Sequence, residues 1–123
     1  VLFVEDDPHV RAQIAPRLRA AGYTVVEAED GLAGLLAYQR TARVDVVVSD
    51  VVMPRLSGPA MIEELRRRGA VVPAVLVSGY SDDPRVAEAL PEGAVFLPKP
   101  YTVAKLREVL AEATAARVAV EAR

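Results

Sequence analysis

The sequence has no cysteine and only one histidine, His9, in 123 residues. The missing thiols exclude disulfides, thiolate metal ligands and cysteine nucleophiles, and they fit a reducing compartment, so a cytoplasmic location is expected. A zinc centre of nitrogen and sulfur ligands is equally disfavoured, and His9 in a first helical turn reads as solvated. Long apolar runs are missing as well: the best candidate, Ala70 to Val77, is broken by Pro73 and falls far short of the roughly eighteen residues of a membrane span. No membrane contact is expected. A net charge of only −2 gives no general attraction to nucleic acid, so no nucleic-acid partner is expected. The opening Val1-Leu2-Phe3-Val4 runs straight into Glu5-Asp6-Asp7, without the basic front or the length of a signal peptide. There is no initiator methionine, and the segment is expected to be cut from something longer.

What is present is ordinary globular material: 52% apolar and 26% charged residues, enough for one domain over residues 1–123 with a real core. Short apolar runs alternate with helical patterns, the signature of βα units and a parallel sheet. Strands are predicted at Val1–Val4, Thr24–Glu27, Asp45–Ser49, Ala74–Val77 and Val95–Leu97, several of them aliphatic throughout, as strands covered on both faces are. Five helices follow. Asp7-Pro8 opens the first, with Val10, Ile14 and Leu18 as its stripe and Gly22 closing it; Asp30-Gly31 opens a second carrying Leu32, Leu35 and Leu36. Ser57-Gly58-Pro59 precedes a third with Met61, Ile62 and Leu65; Asp83-Pro84 starts a short fourth, cut by Pro91 and Gly93; Thr102 caps a fifth with Val103, Leu106, Val109 and Leu110. Residues 115–123 lose the apolar stripe and are expected to fray or to lead into a missing segment.

The informative polar residues all follow strands: Glu5, Asp6 and Asp7, then Asp50, Ser78 and Lys99. In an open parallel sheet the carboxyl ends of the strands form the ligand crevice, so these residues converge there. Carboxylates packed together need compensating charge. Lys99 supplies one, and an all-oxygen cluster suits Mg²⁺. With two cations beside it, a carboxylate can attack phosphorus, and Asp50 is the best placed nucleophile, followed by a loop able to lend a backbone carbonyl to the metal. Ser78 can bond a phosphoryl oxygen, and Gly79 lets the backbone come close. Asp7 reads as the N-cap before Pro8 rather than as a ligand. The Arg66-Arg67-Arg68 run reads as a solvated face.

The segments VLFVEDDP, VVVSDVVMPRLSG, VLVSGY and VFLPKPY, in this order and at these intervals, resemble the receiver domain of two-component response regulators over nearly the whole chain. The resemblance implies an α/β fold with a five-stranded parallel sheet of flavodoxin-like order 2-1-3-4-5 and helices on both faces. It implies that Asp6 and Asp50 bind Mg²⁺ directly, Glu5 through water and Val52 through its backbone carbonyl. Asp50 would be the phosphoacceptor, Ser78 and Lys99 would contact the phosphoryl group, and Ser78 and Phe96 would be the switch pair. The donor would be a phosphohistidine on a histidine kinase or phosphotransfer protein. A homodimer would use the face of the fourth helix, fifth strand and fifth helix. The SGYSDD and FLPKPYT runs look like receivers fused behind sensor histidine kinases. Such a domain is no turnover enzyme and catalyses only its own phosphorylation and dephosphorylation.

Three departures matter. Pro91 and a short fourth helix alter the usual output face. Two positions after Asp50 and Ser78 stand Val52 and Tyr80, neither suited to orienting an attacking water, so slow self-dephosphorylation is predicted. The alternatives are a degenerate receiver that only binds partners and a Mg²⁺-dependent phosphatase with an aspartate nucleophile. The second lacks its usual acid at position 52.

Overall fold

A computed structural model describes residues 1–79, 91 and 93–121. Five parallel strands, β1 (Leu2–Val4), β2 (Val26–Ala28), β3 (Val47–Asp50), β4 (Ala74–Ser78) and β5 (Ala94–Pro98), form one sheet of order β2-β1-β3-β4-β5. The described helices are α1 (Pro8–Ala20), α2 (Gly31–Arg40), α3 (Gly58–Arg67) and α4 (Val103–Glu121). The last of these is the helix expected to be fifth. The helix expected from Asp83 lies outside the described residues.

Alternation along the strands builds two cores. Leu2, Val4, Val47 and Leu76 face α2 and α3, meeting Leu35, Met61, Ile62 and Leu65. Their neighbours Phe3, Val46, Val48, Val75 and Val77 point the other way, onto Ile14, Leu18, Leu106 and Leu110 of α1 and α4. A period of two carried by residues that are apolar on both faces explains why the strands read as continuous hydrophobic runs.

The helix starts follow the chemistry read from the sequence. Asp7 Oδ1 accepts from the backbone N–H of His9 at 2.9 Å, Asp30 Oδ1 from Ala33 at 2.8 Å, Ser57 Oγ from Ala60 at 3.3 Å and Thr102 Oγ1 from Lys105 at 3.0 Å. The stripe of α2 differs from expectation: Leu32 and Leu36 are exposed, and the buried line runs through Gly31, Gly34 and Leu35. A Cβ on Gly34 would crowd Met61 Sδ and Val4, so α2 approaches the sheet along its small residues and leaves two leucines outside.

Strand limits also shift. β2 begins at Val26, the register partner of Leu2, and runs on to Ala28; β3 starts at Val47 and includes Asp50, whose register partner is Val77. Ser78 closes β4 opposite Pro98 rather than following the strand. Among the described residues, no helix is long and apolar enough to cross a membrane.

Candidate functional site

The carboxyl ends of β1, β3, β4 and β5 open into a cavity of about 280 Å³ lined by Glu5, Asp6, Asp7, Val10, Asp50, Val52, Val77, Ser78, Gly79 and Lys99. Six residues singled out from the sequence, Glu5, Asp6, Asp50, Val52, Ser78 and Lys99, therefore share one site. Phe96 does not line it; it sits half-buried on β5, in register with Leu76.

Each side chain arrives by the strand that ends beneath it. Glu5 leaves β1 with its backbone N–H bonded to the Ala28 carbonyl at 3.0 Å, and its side chain is 2% exposed. Its Oε1 accepts from the Asp7 N–H at 3.1 Å. Asp6, the next residue, is exposed at the rim. Asp50 ends β3 in the buried layer, and the Ser49 hydroxyl donates to its backbone carbonyl at 2.9 Å. Lys99 reaches in from the end of β5, its N–H held by the Ser78 carbonyl at 2.7 Å and its own peptide to Pro100 in the cis form.

The charges are arranged around Lys99. Its Nζ lies 2.8 Å from Asp50 Oδ1 and 3.8 Å from Glu5 Oε2. The shorter is an ion-pair distance without hydrogen-bond alignment, so Asp50 Oδ1 is ion-paired but accepts no hydrogen bond among the described residues. One oxygen each from Glu5, Asp6 and Asp50 lies within 4.8 Å of the others. Burial first, then a hydrogen bond to Asp50 and that residue's negative charge, push the Glu5 carboxyl up to about 8. Burial alone would lower the Lys99 ammonium, yet its close contact with Asp50 and the charges of Asp50, Glu5 and Asp6 raise it overall. The site is overloaded with negative charge that one lysine does not balance.

Ser78 Oγ is buried and has no hydrogen-bond partner among the described residues. A buried hydroxyl left so costs about 1–3 kcal/mol, and a ligand oxygen in the cavity would remove that penalty. The donor set fits a hard divalent cation: clustered carboxylate oxygens, with neither nitrogen nor sulfur among them. The same set with Lys99 and a free hydroxyl fits a phosphoryl group.

Sequence reading passed over several supports. Arg11 on α1 donates from Nη1 to the Glu5 carbonyl at 2.7 Å and pairs with Glu27 on β2, fixing the backbone under the acidic pair; it reads as one more charged residue between stripe positions. Gly58 reads only as part of a helix start, yet a Cβ there would collide with the Asp50 carbonyl. Tyr101 has a buried hydroxyl without a hydrogen-bond partner among the described residues, and burial, then the charges of Glu5 and Asp50, raise its ionisation well above the usual phenol range. Asp7 caps α1, as expected, and also lines the cavity. Arg67 and Arg68 pair with Glu64 on the surface, in keeping with a solvated face.

Comparison with known proteins gives a consistent result. A family model described as response regulator receiver domain matches residues 1–111. Sensor kinase CckA of Brucella abortus (strain 2308) is 41% identical over 115 residues, covering 91% of this chain and 12% of that protein. Transcriptional activator protein PfeR of Pseudomonas aeruginosa is 37% identical over 107 residues, covering 86% of this chain and 34% of that protein. The chain thus spans a minor part of these relatives. Among solved structures, the receiver domain of the hybrid histidine kinase CckA superposes with a TM-score of 0.77 at 35% identity, covering 92% of this chain and 96% of that one. A receiver domain protein from Clostridium thermocellum gives a TM-score of 0.86 at 26% identity, covering 97% and 96%.

Proposed function

We propose that this chain, which belongs to the response regulator receiver domain family, is a phosphoacceptor switch in which Asp50 takes a phosphoryl group from a phosphohistidine. The observation that carries this reading is the pairing of Asp50 Oδ1 with Lys99 Nζ at 2.8 Å beside the Glu5 and Asp6 oxygens. An Asp50 oxygen forms the new O–P bond while the P–N bond to the donor imidazole breaks. The imidazole leaves with the bonding pair, neutral because its other nitrogen carries a proton.

The residues divide the work. Asp50 is the nucleophile, and Lys99 holds its carboxylate and meets the charge of the incoming group. Glu5, Asp6, Asp50 and the Val52 carbonyl would hold Mg²⁺, Glu5 acting through water. When bound, the ion supplies positive charge to phosphoryl oxygens. The Ser78 hydroxyl donates to one of those oxygens and so gains the partner it lacks. Phe96, half-buried three positions before Lys99, would turn inward as Ser78 moves. Turnover is limited to the chain's own phosphorylation and dephosphorylation.

A histidine kinase or phosphotransfer protein is the donor. The 41% identity to a sensor kinase supports a receiver that works with, or as part of, such a kinase in the cytoplasm. Residues 1–123 act as one receiver unit. A homodimer would use β5, α4 and the helix expected from Asp83, the last outside the described residues; sedimentation with and without phosphorylation tests it.

The deciding experiment incubates the chain with Mg²⁺ and a small phosphodonor and follows intact mass for the native protein and Asp50→Asn. A phosphate adduct that needs Asp50 is the expected result. Donor hydrolysis without an adduct would mean a phosphatase, and no reaction would mean a receiver that only binds partners.

A further inference from the structure

We infer that Asp30 and Arg55 form a positioning pair that clamps the loop between β3 and α3, residues 51–57, onto the start of α2 and thereby sets Mg²⁺ affinity. The inference rests on the reading of the cavity as a Mg²⁺ site, because this loop carries Val52.

Asp30 is 4% exposed. Its Oδ1 accepts from the Ala33 N–H at 2.8 Å, capping α2, and its Oδ2 lies 3.4 Å from the Arg55 guanidinium. A carboxylate this buried needs both oxygens compensated; the cap compensates one and Arg55 the other. Arg55 itself has φ of 72°, a left-handed conformation that costs a residue with a Cβ about 1–2 kcal/mol. Glycine would make that turn without the cost, so the Arg55 side chain is what this conformation gains. The next residue touches as well: the space for a Cβ on Gly31 is filled by the Leu56 carbonyl and Cβ. At the other end, the Gly58 N–H closes the loop on the Val51 carbonyl at 2.9 Å. Val52 and Met53 therefore lie between two anchors, and a shift at Arg55 moves the backbone the metal would use.

Arg55 is 65% exposed on its side chain, which makes the pair salt-sensitive and its effect moderate. Calorimetric titration of Mg²⁺ into native protein, Asp30→Asn, Arg55→Gln, Arg55→Lys and the Asp30→Asn/Arg55→Gln double variant tests the clamp. Asn caps a helix as well as Asp does, so the fold is retained. Each of Asp30→Asn and Arg55→Gln should weaken Mg²⁺ about three- to tenfold. The double variant should be no weaker than either single one, Arg55→Lys should recover most of the loss, and high salt should shrink the difference. Affinities within about twofold of native for both single variants, or losses that multiply in the double variant, would overturn the inference. If the native chain binds no Mg²⁺, the site reading fails and takes this inference with it; if it binds and the variants match it, the clamp alone fails.

Discussion

The space that a Cβ on Gly58 would need is occupied by the backbone carbonyl of Asp50. The start of α3 thus lies directly on the peptide that follows the candidate nucleophile, and Leu76 hems in the same point from β4. Gly58→Ala should force the two backbones apart, costing about 1–3 kcal/mol and displacing Asp50 from Lys99. Thermal melting and the rate of adduct formation should both fall; a variant that melts like the native chain would show the contact to be soft.

Ser78 should trade stability against reactivity. Its buried hydroxyl has no hydrogen-bond partner among the described residues, so Ser78→Ala removes an unsatisfied group and should leave the ligand-free chain as stable or about 1 kcal/mol more stable. The same change should slow phosphorylation at least tenfold, about 1.4 kcal/mol of lost stabilisation of the transferring group. Melting and adduct kinetics on one preparation check both directions, and a stability loss without a rate change would contradict the assignment.

Glu5 ties stability to pH. Its carboxyl is raised from 4.5 to about 8, so between those values the folded chain holds a proton that the unfolded chain has released. The stability this group contributes is complete below about pH 4.5, declines as pH rises, and is gone above about 8. Mg²⁺ favours the ionised cluster, so its binding near neutral pH should release protons and tighten toward pH 8. Titrations in buffers of different ionisation enthalpy measure the release. Glu5→Gln should flatten both dependences, and a proton count of zero in the native chain would refute the raised carboxyl.

The phosphorylated form should persist. Val52, two positions after Asp50, is exposed and apolar and offers nothing to orient a water for attack on the acyl phosphate. Val52→Asn supplies an amide there and should shorten the lifetime several-fold. Loss of the adduct by the native chain within seconds would count against this account.

The βα alternation and the convergence of the polar residues on one sheet edge were legible from local pattern, while the strand order came from the family resemblance. Runs of aliphatic residues separated by capped helical stretches specify βα units, and the carboxyl ends of parallel strands bring Glu5, Asp6, Asp50, Ser78 and Lys99 to one edge whatever the side-chain detail. Helix caps at Asp7, Asp30, Ser57 and Thr102 were readable for the same reason, since a cap bonds within three residues of itself.

What only the tertiary structure decided are relations between elements far apart in sequence. That α2 buries Gly34 and leaves Leu32 and Leu36 exposed depends on how closely it approaches Val4 and Met61. That Glu5 is the buried acid and Asp6 the exposed one depends on where β1 ends against its neighbours. That Arg11 holds the Glu5 carbonyl, and that Asp30 meets Arg55, depends on packing that no periodicity encodes. By itself the sequence determined which chemical groups share the sheet edge; the folded packing decided which of them are dry, which are paired and which await a partner, because desolvation and ion pairing are set by three-dimensional distance and not by spacing along the chain.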